Sequence, residues 1–461
     1  MGFKLRTIAE DTRFSDAVKL NALEQAIPQA VVEAVITDLG AAEQRTRKLP
    51  AVVTLLLCIA MGLFTNMALE QVLIKMVKGL RYIWPGDEDY QTANKSAICQ
   101  ARYRLGAQPV VELFHRVCTP LATGSTPGAF LFGLRLMSID GTREDVPDTP
   151  ANAAFFGRPH GGRGDGAFPQ MQAVYLCESG THALCDAGFW PCQTGERTGG
   201  LRMLRSVTEG MLVMWDRGFH SFDMALKTRQ RGAHFPGRLP AYVKLEVLPD
   251  GSCLAYIYPS DPQRKKRGEH LLVRIIAYTI DDPHRPGHGK RHRLITSLLE
   301  PDRYPAHTLA CEYHQRWEIE ITIDELDTHQ RLPNLPLRSQ KPAGVIQEAY
   351  GLLIAHYAVR SVMHEAAVQH GLDPDRLSFI NAVRIIREAI PEFQMTTPEQ
   401  LPRLYRRLLN DVARHRLPER ENRSNPRVIK RKMSRFKLKR PQHLHWPQPT
   451  KPFREAVVIL N

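Results

Sequence analysis

Residues 130–142 read FLFGLRLMSIDGT and residues 210–219 read GMLVMWDRGF; the two apolar runs stop at Asp140 and Asp216. Both have the length and apolar content of buried strands. Glycine follows each acid closely, in Asp140-Gly141-Thr142 and in Asp216-Arg217-Gly218-Phe219. In an open α/β sheet, ligands bind outside the carboxyl ends of the strands. A carboxylate placed there sits on a rigid element and still reaches the ligand. Glycine lets the chain turn away sharply and lets a bulky ligand approach the backbone. Taken singly, either aspartate is better explained as a turn or helix cap.

A third piece lies further on. Residues 306–331 read as one long helix that contains YHQRWEIEI at 313–321. In that helix Arg316 and Glu320 are four apart on one face, with Tyr313 one turn earlier. The bland reading is a surface ion pair of Arg316 with Glu320 or Glu312, contributing a few tenths of a kcal/mol. The functional reading puts a metal acceptor, a phosphate-binding guanidinium and a phenol on one face.

Around these segments the chain divides by pattern. Residues 1–125 read as a helical domain suited to DNA binding. The uncharged stretch from Pro50 to Leu69 reads as buried core helix rather than a membrane span, because its apolar pattern continues at helical spacing through Leu73, Met76, Val77 and Leu80. Residues 130–235 form the first part of an α/β core, with a hairpin turn at Ser179-Gly180. Residues 236–300 read as a β-rich insertion with a basic tip at 262–268. Residues 301–335 complete the core with the Glu320 helix. Helices follow over 340–415 and a basic tail over 416–461.

The 461 residues carry a formal charge of +14. From Arg414 to Arg440 twelve Lys or Arg stand against Glu419 and Glu421, which supplies +10 of that total. A solvated face would mix signs, so this run points to phosphate. The eight cysteines include no C-x2-C pair, which argues against structural zinc; reduced thiols are expected. No signal peptide is visible, so the expected location is cytoplasmic and nucleoid-associated. His160, His182, His220 and His307 are read as structural or solvent-facing. Glu144, Asp145 and Asp148 are read as loop-capping or DNA-flanking acids.

The 313–320 segment resembles the Y-x2-R-x3-E-x6-K signature of bacterial insertion-sequence transposases of the DDE class, in the insertion-sequence-four branch. Asp140-Gly141-Thr142 and Asp216-Arg217-Gly218-Phe219 resemble that family's two aspartate motifs. The resemblance spans nearly the whole chain. It implies an α/β fold: an RNase H-like mixed sheet core with an all-β insertion, a helical N-terminal domain and a helical, basic C-terminal region. It also implies cut-and-paste DNA transposition by metal-dependent phosphoryl transfer. Asp140, Asp216 and Glu320 are then the catalytic metal ligands, with Mg2+ or Mn2+ as cofactor. Tyr313, Arg316, Trp317, Arg217, Lys265, Lys266, Arg427, Lys430, Arg431 and Lys432 are expected to contact DNA. The partners implied are double-stranded DNA, as terminal inverted repeats and target, and a second copy of the chain; no membrane is involved. One position departs: the signature lysine falls at residue 327, which is Asp327. The alternatives are a metal-dependent nuclease without joining activity, and an inactive or repurposed DNA-binding protein.

Overall fold

The computed structural model describes residues 18–43, 45, 49–80, 93–161, 164–238, 243–331, 337–418, 429–430, 437–438 and 447–460. They fall into two compact units: one of Met1–Ser206 with Trp317–Leu417, the other of Val207–Arg316 with Pro418–Asn461.

The first unit opens with helices α1 (Gln29–Asp38), α2 (Ala51–Leu63), α3 (Leu69–Val77), α4 (Lys95–Leu105) and α5 (Gln108–Val117). Asn94 caps α4 by accepting from the Ala97 N–H, which satisfies an otherwise orphaned donor. Three strands follow: β1 (Leu134–Asp145), β2 (Gln170–Glu178) and β3 (Ala183–Pro191). β2 lies between the other two, antiparallel to both. It is buried along nearly its whole length, as a central strand covered on both faces should be. Helices α6 (Pro150–Phe156) and α7 (Glu196–Met203) accompany this sheet.

In the second unit, β4 (Met211–Trp215) leads into α8 (Phe222–Gln230), capped by Ser221. Then come β5 (Pro236–Arg238), β6 (Val243–Val247), β7 (Cys253–Ile257), β8 (Leu271–Ile280) and β9 (His292–Thr296), and helix α9 (Ala306–Tyr313). The strand order is β4-β5-β9-β8-β7-β6. β4 and β5 are parallel, through Trp215 opposite Gly237, and the remaining neighbours are antiparallel. A late strand, β10 (Val457–Ile459), pairs antiparallel with the far end of β8, Val457 opposite Ile280.

The chain returns to the first unit with α10 (Trp317–Asp324), which widens into a π turn over Glu325–Gln330. Helices α11 (Pro342–His370), α12 (Phe379–Met395) and α13 (Leu401–Ala413) complete it. The uncharged stretch is settled by α2. Twelve of its thirteen residues are buried, and it packs along α11. A Cβ on Gly351 would lie 2.3 Å from the Cys58 carbonyl oxygen, and one on Gly62 would lie 2.6 Å from Gly351 backbone. Backbone meets backbone at this crossing, so only glycine fits. Thirteen residues of helix span about 20 Å, short of a bilayer core, and among the described residues no helix is long and apolar enough to cross a membrane.

The long helix expected over 306–331 is instead three pieces. α9 ends at Tyr313, a tight 3-10 turn spans His314–Arg316, and α10 follows. The placement of Tyr313, Arg316 and Glu320 on one helical face assumed unbroken 3.6-residue periodicity, which this geometry does not have.

Candidate active site

β1 does not stop at Asp140 but runs on to Asp145. Asp140 therefore sits within the strand, opposite Tyr175 of β2, half-buried, with Oδ1 accepting from the Gly141 N–H at 2.8 Å. A Cβ at 141 would meet the Ala173 carbonyl oxygen at 2.9 Å, so glycine here serves the strand contact as well as open access. Glu144 and Asp145 belong to the same strand and not to a loop. Glu144 is buried and accepts from Arg331 at 2.5 Å; Asp145 accepts from Gln170 at 2.8 Å. Asp148 pairs with Arg158.

Asp216 directly follows β4. Its Oδ1 accepts from the Gly218 N–H at 2.7 Å and the Phe219 N–H at 3.2 Å, so the carboxylate shapes its own turn. Phe219 is buried and anchors that turn, while Arg217 and Gly218 are exposed. The preceding Trp215 is fully buried and stacks on Phe235 at 5.2 Å. Its carbonyl accepts from the Tyr313 hydroxyl at 3.0 Å. Tyr313 is itself buried, so this phenol is engaged in holding the strand end that presents Asp216.

Arg316 lies in the 3-10 turn and Glu320 on α10, both half-buried. α10 packs against β1, which carries Asp140. The Trp317 side chain lies outside the described residues, as do Arg427, Arg431, Lys432 and the side chain of Lys430. Lys265 and Lys266 are exposed on a short helix, Pro262–Lys266, with the Lys265 ammonium 5.1 Å from the Tyr258 ring centre. The neighbouring Arg264 is tied to Asp223 at 2.7 Å and Glu269 at 2.8 Å.

Asp327 lies 3.3 Å from Arg331, which also holds Glu144. Burial and the Glu144 charge push the Asp327 carboxyl up to about 7, against the pull of Arg331. The other cations near this position are occupied too. Arg338 pairs with Glu348 at 3.2 Å, and Lys341 stands 4.5 Å over the Tyr103 ring.

The sequence reading missed a second cluster, and His182 is at its centre. This residue sits in the β2–β3 turn at φ 57°, buried. Its Nε2 lies 2.9 Å from Glu318 and 3.2 Å from Asp375, and its Nδ1 lies 3.7 Å from Glu325 and against Arg360. His182, Glu318 and Asp375 are close enough to share a cation. Burial and Arg360 oppose protonation of the ring, but Asp375, Glu318 and Glu325 outweigh them and raise it to about 9. The cluster left a signal in the sequence: His356 and Arg360 interrupt the apolar stretch from Leu352 to Met363, and Glu318, Thr322 and Glu325 share one helical stripe. His160 lies on Asp165 at 2.7 Å and His307 on the Arg454 carbonyl at 2.9 Å, both exposed contacts. None of the eight cysteines is in a disulfide.

Asp140, Asp216 and Glu320 offer only carboxylate oxygens, a hard donor set that suits Mg2+ or Mn2+. Backbone N–H groups orient one oxygen of each aspartate.

Residues 17–115 match the family described as insertion element 4 transposase N-terminal, and residues 132–357 match the transposase DDE domain. Transposase InsG for insertion sequence element IS4 of Escherichia coli (strain K12) is 28% identical over 449 residues, covering 95% of this chain and 96% of the relative. The putative transposase InsZ of the same organism is 27% identical over 233 residues, covering 50% of this chain and 75% of InsZ. A cryo-EM structure of the piggyBac transposase synaptic complex with hairpin DNA covers 85% of both chains at 12% identity, with a TM-score of 0.43. The mixed sheet with flanking helices is the RNase H-like α/β core expected from the sequence. The chain belongs to the insertion element 4 family of DDE transposases.

Proposed function

We propose that this transposase cuts DNA at the ends of a mobile element and joins the freed 3′ ends to target DNA, with Asp140, Asp216 and Glu320 as its catalytic carboxylates. The observation that carries this reading is their order. Asp140, Asp216 and the Tyr313-Arg316-Glu320 segment follow one another inside the DDE-domain match over 132–357. The domain implies dependence on a divalent metal, and Mg2+ is the expected ion, with Mn2+ as a substitute. When bound, two such cations supply an activated water or 3′ hydroxyl and neutralise charge on the leaving oxygen.

The remaining roles belong to the chain itself. Asp140, Asp216 and Glu320 would hold the cations through their carboxylates. The Tyr313 hydroxyl fixes the Trp215 carbonyl and so the approach to Asp216. Arg316 meets a phosphate near the scissile bond through its planar fork. Lys265, Lys266, Arg217, Trp317 and the basic run at Arg427, Lys430, Arg431 and Lys432 grip the DNA; lysine and arginine contacts of this kind supply affinity and salt dependence but little sequence reading. Two ends must be brought together, which calls for a homodimer on DNA. The expected location is the cytoplasm, on the nucleoid.

The two alternatives are not favoured by the family match. Asp327 has a partner in Arg331, so the departure from the signature is not a bare loss. The test is cleavage and strand transfer on duplexes carrying the DNA that flanks the coding region. Asp140→Asn, Asp216→Asn and Glu320→Gln should each abolish both steps while end binding persists in a gel shift. Cutting without any joined product by the unaltered chain would instead support the nuclease reading.

A further inference from the structure

The helix that bears Glu320 is not uniform. It is α-helical from Trp317 to Asp324 and then a π turn over Glu325–Gln330. A π turn inserted in a helix is uncommon and tends to appear where function requires it, so the contacts that hold it are informative.

The residue at which the helix widens is Glu325, which is buried. Its carboxylate accepts from Arg360 Nε at 3.0 Å and lies 3.0 Å from His356 Nε2; both partners project from α11. Burial disfavours its charge, yet Arg360, His182 and His356 hold the carboxyl well below the usual range. Glu318 and Thr322 extend the same stripe. Glu318 meets His182, and the Thr322 hydroxyl lies 3.5 Å from Cys177 of β2. At 100° per residue, Glu320 is about 200° around the helix from Glu318. One side of α10 thus bears the acid assigned to the chemistry, and the opposite side bears a buried charged cluster.

An apolar seam would hold this helix as firmly and with less desolvation. What paired buried charges add is directionality: a helix that rotates or slips by one residue leaves them unpaired. We propose that Glu325, clamped by Arg360 and His356, is a positioning residue that fixes the transition from α to π geometry and thereby the rotation of Glu320. This rests on the assignment of Glu320 as a catalytic carboxylate.

The test uses the full chain with Glu325→Gln, Arg360→Lys and, for reference, Glu320→Gln. Cleavage of flanking-end duplexes is measured against Mg2+ and Mn2+ concentration, alongside end binding and melting temperature. Glu325→Gln and Arg360→Lys should cleave at least about tenfold more slowly, with end affinity within about twofold. The metal concentration for half-maximal cleavage should rise several-fold, with partial recovery in Mn2+. Arg360→Lys keeps a cation at the site, so it serves if Glu325→Gln does not fold. Folded variants with unaltered cleavage and metal dependence would overturn the proposal, as would cleavage and end binding lost in proportion. If Glu320→Gln cleaves like the unaltered chain, the Glu320 assignment falls and the proposal with it. If Glu320→Gln is inactive and Glu325→Gln is normal, only the clamp falls.

Discussion

Replacing Asp327 by asparagine should flatten the pH dependence of stability. Asp327 shares a half-buried site with Glu144 and Arg331, and its carboxyl rises from an ordinary 3.8 to about 7. Between those values the folded protein holds a proton that the unfolded chain has released. The group's contribution is therefore full below about pH 4 and is lost as pH rises through about 7. A shift of that size corresponds to a ceiling of about 4 kcal/mol. The interval from pH 5 to pH 8 samples roughly two thirds of it, and the side chain is 32% exposed, so solvent screening reduces the usable effect to about 1–2 kcal/mol. Asparagine cannot titrate. Relative to the unaltered chain, Asp327→Asn should gain that amount on going from pH 5 to pH 8, or about 1–2 °C in melting temperature for a chain of this length. Asp375, also raised to about 7, titrates in both proteins and cancels in the difference. Thermal unfolding at several pH values in one buffer series reads it directly. Melting temperatures of the two proteins whose difference stays constant within about 0.3 °C from pH 5 to pH 8 would refute the reasoning.

Other outcomes follow from single contacts. Tyr313→Phe removes the donor to a buried carbonyl, so it should cost about 1 kcal/mol of stability and slow cleavage; unchanged cleavage would separate the phenol from the site. Gly351→Ala would force a methyl to 2.3 Å from the Cys58 carbonyl. It should destabilise the chain by about 1–3 kcal/mol or more, seen as a lowered melting temperature, and an unaltered one would contradict the helix crossing. Lys265→Ala with Lys266→Ala should reduce the slope of log affinity against log salt by about 1–2, and an identical slope would remove these lysines from the DNA contact.

The strands that carry Asp140 and Asp216 were legible because their signals are local. An apolar run followed by Asp-Gly or Asp-Arg-Gly names a strand that bears an acid, within the strand at Asp140 and just past its end at Asp216, and the Ser179-Gly180 pair marks the β2–β3 turn. The missed features depend on partners far along the chain. β1 continues past Asp140 through Arg143, Glu144 and Asp145, a polar stretch that resembles a loop until Arg331 is seen to neutralise Glu144. The breaks in the 306–331 helix have no composition signal, because neither a 3-10 turn nor a π turn needs glycine or proline. His182 looked like an ordinary turn residue until α10, α11 and Asp375 were brought around it. Tyr313 was expected to face DNA, whereas the structure gives its hydroxyl to the main chain.

The three-residue strand β10 bears on how the protein is made. β8 is complete by Ile280, but its last residues wait for Val457–Ile459 to supply a neighbour. During synthesis that stretch of sheet edge stays unsealed until the chain has grown past Ile459. An open edge of this kind is a template for pairing with other chains. Truncated or stalled products that lack β10 are therefore expected to clump, a hazard for any expression scheme that trims the basic region and everything after it.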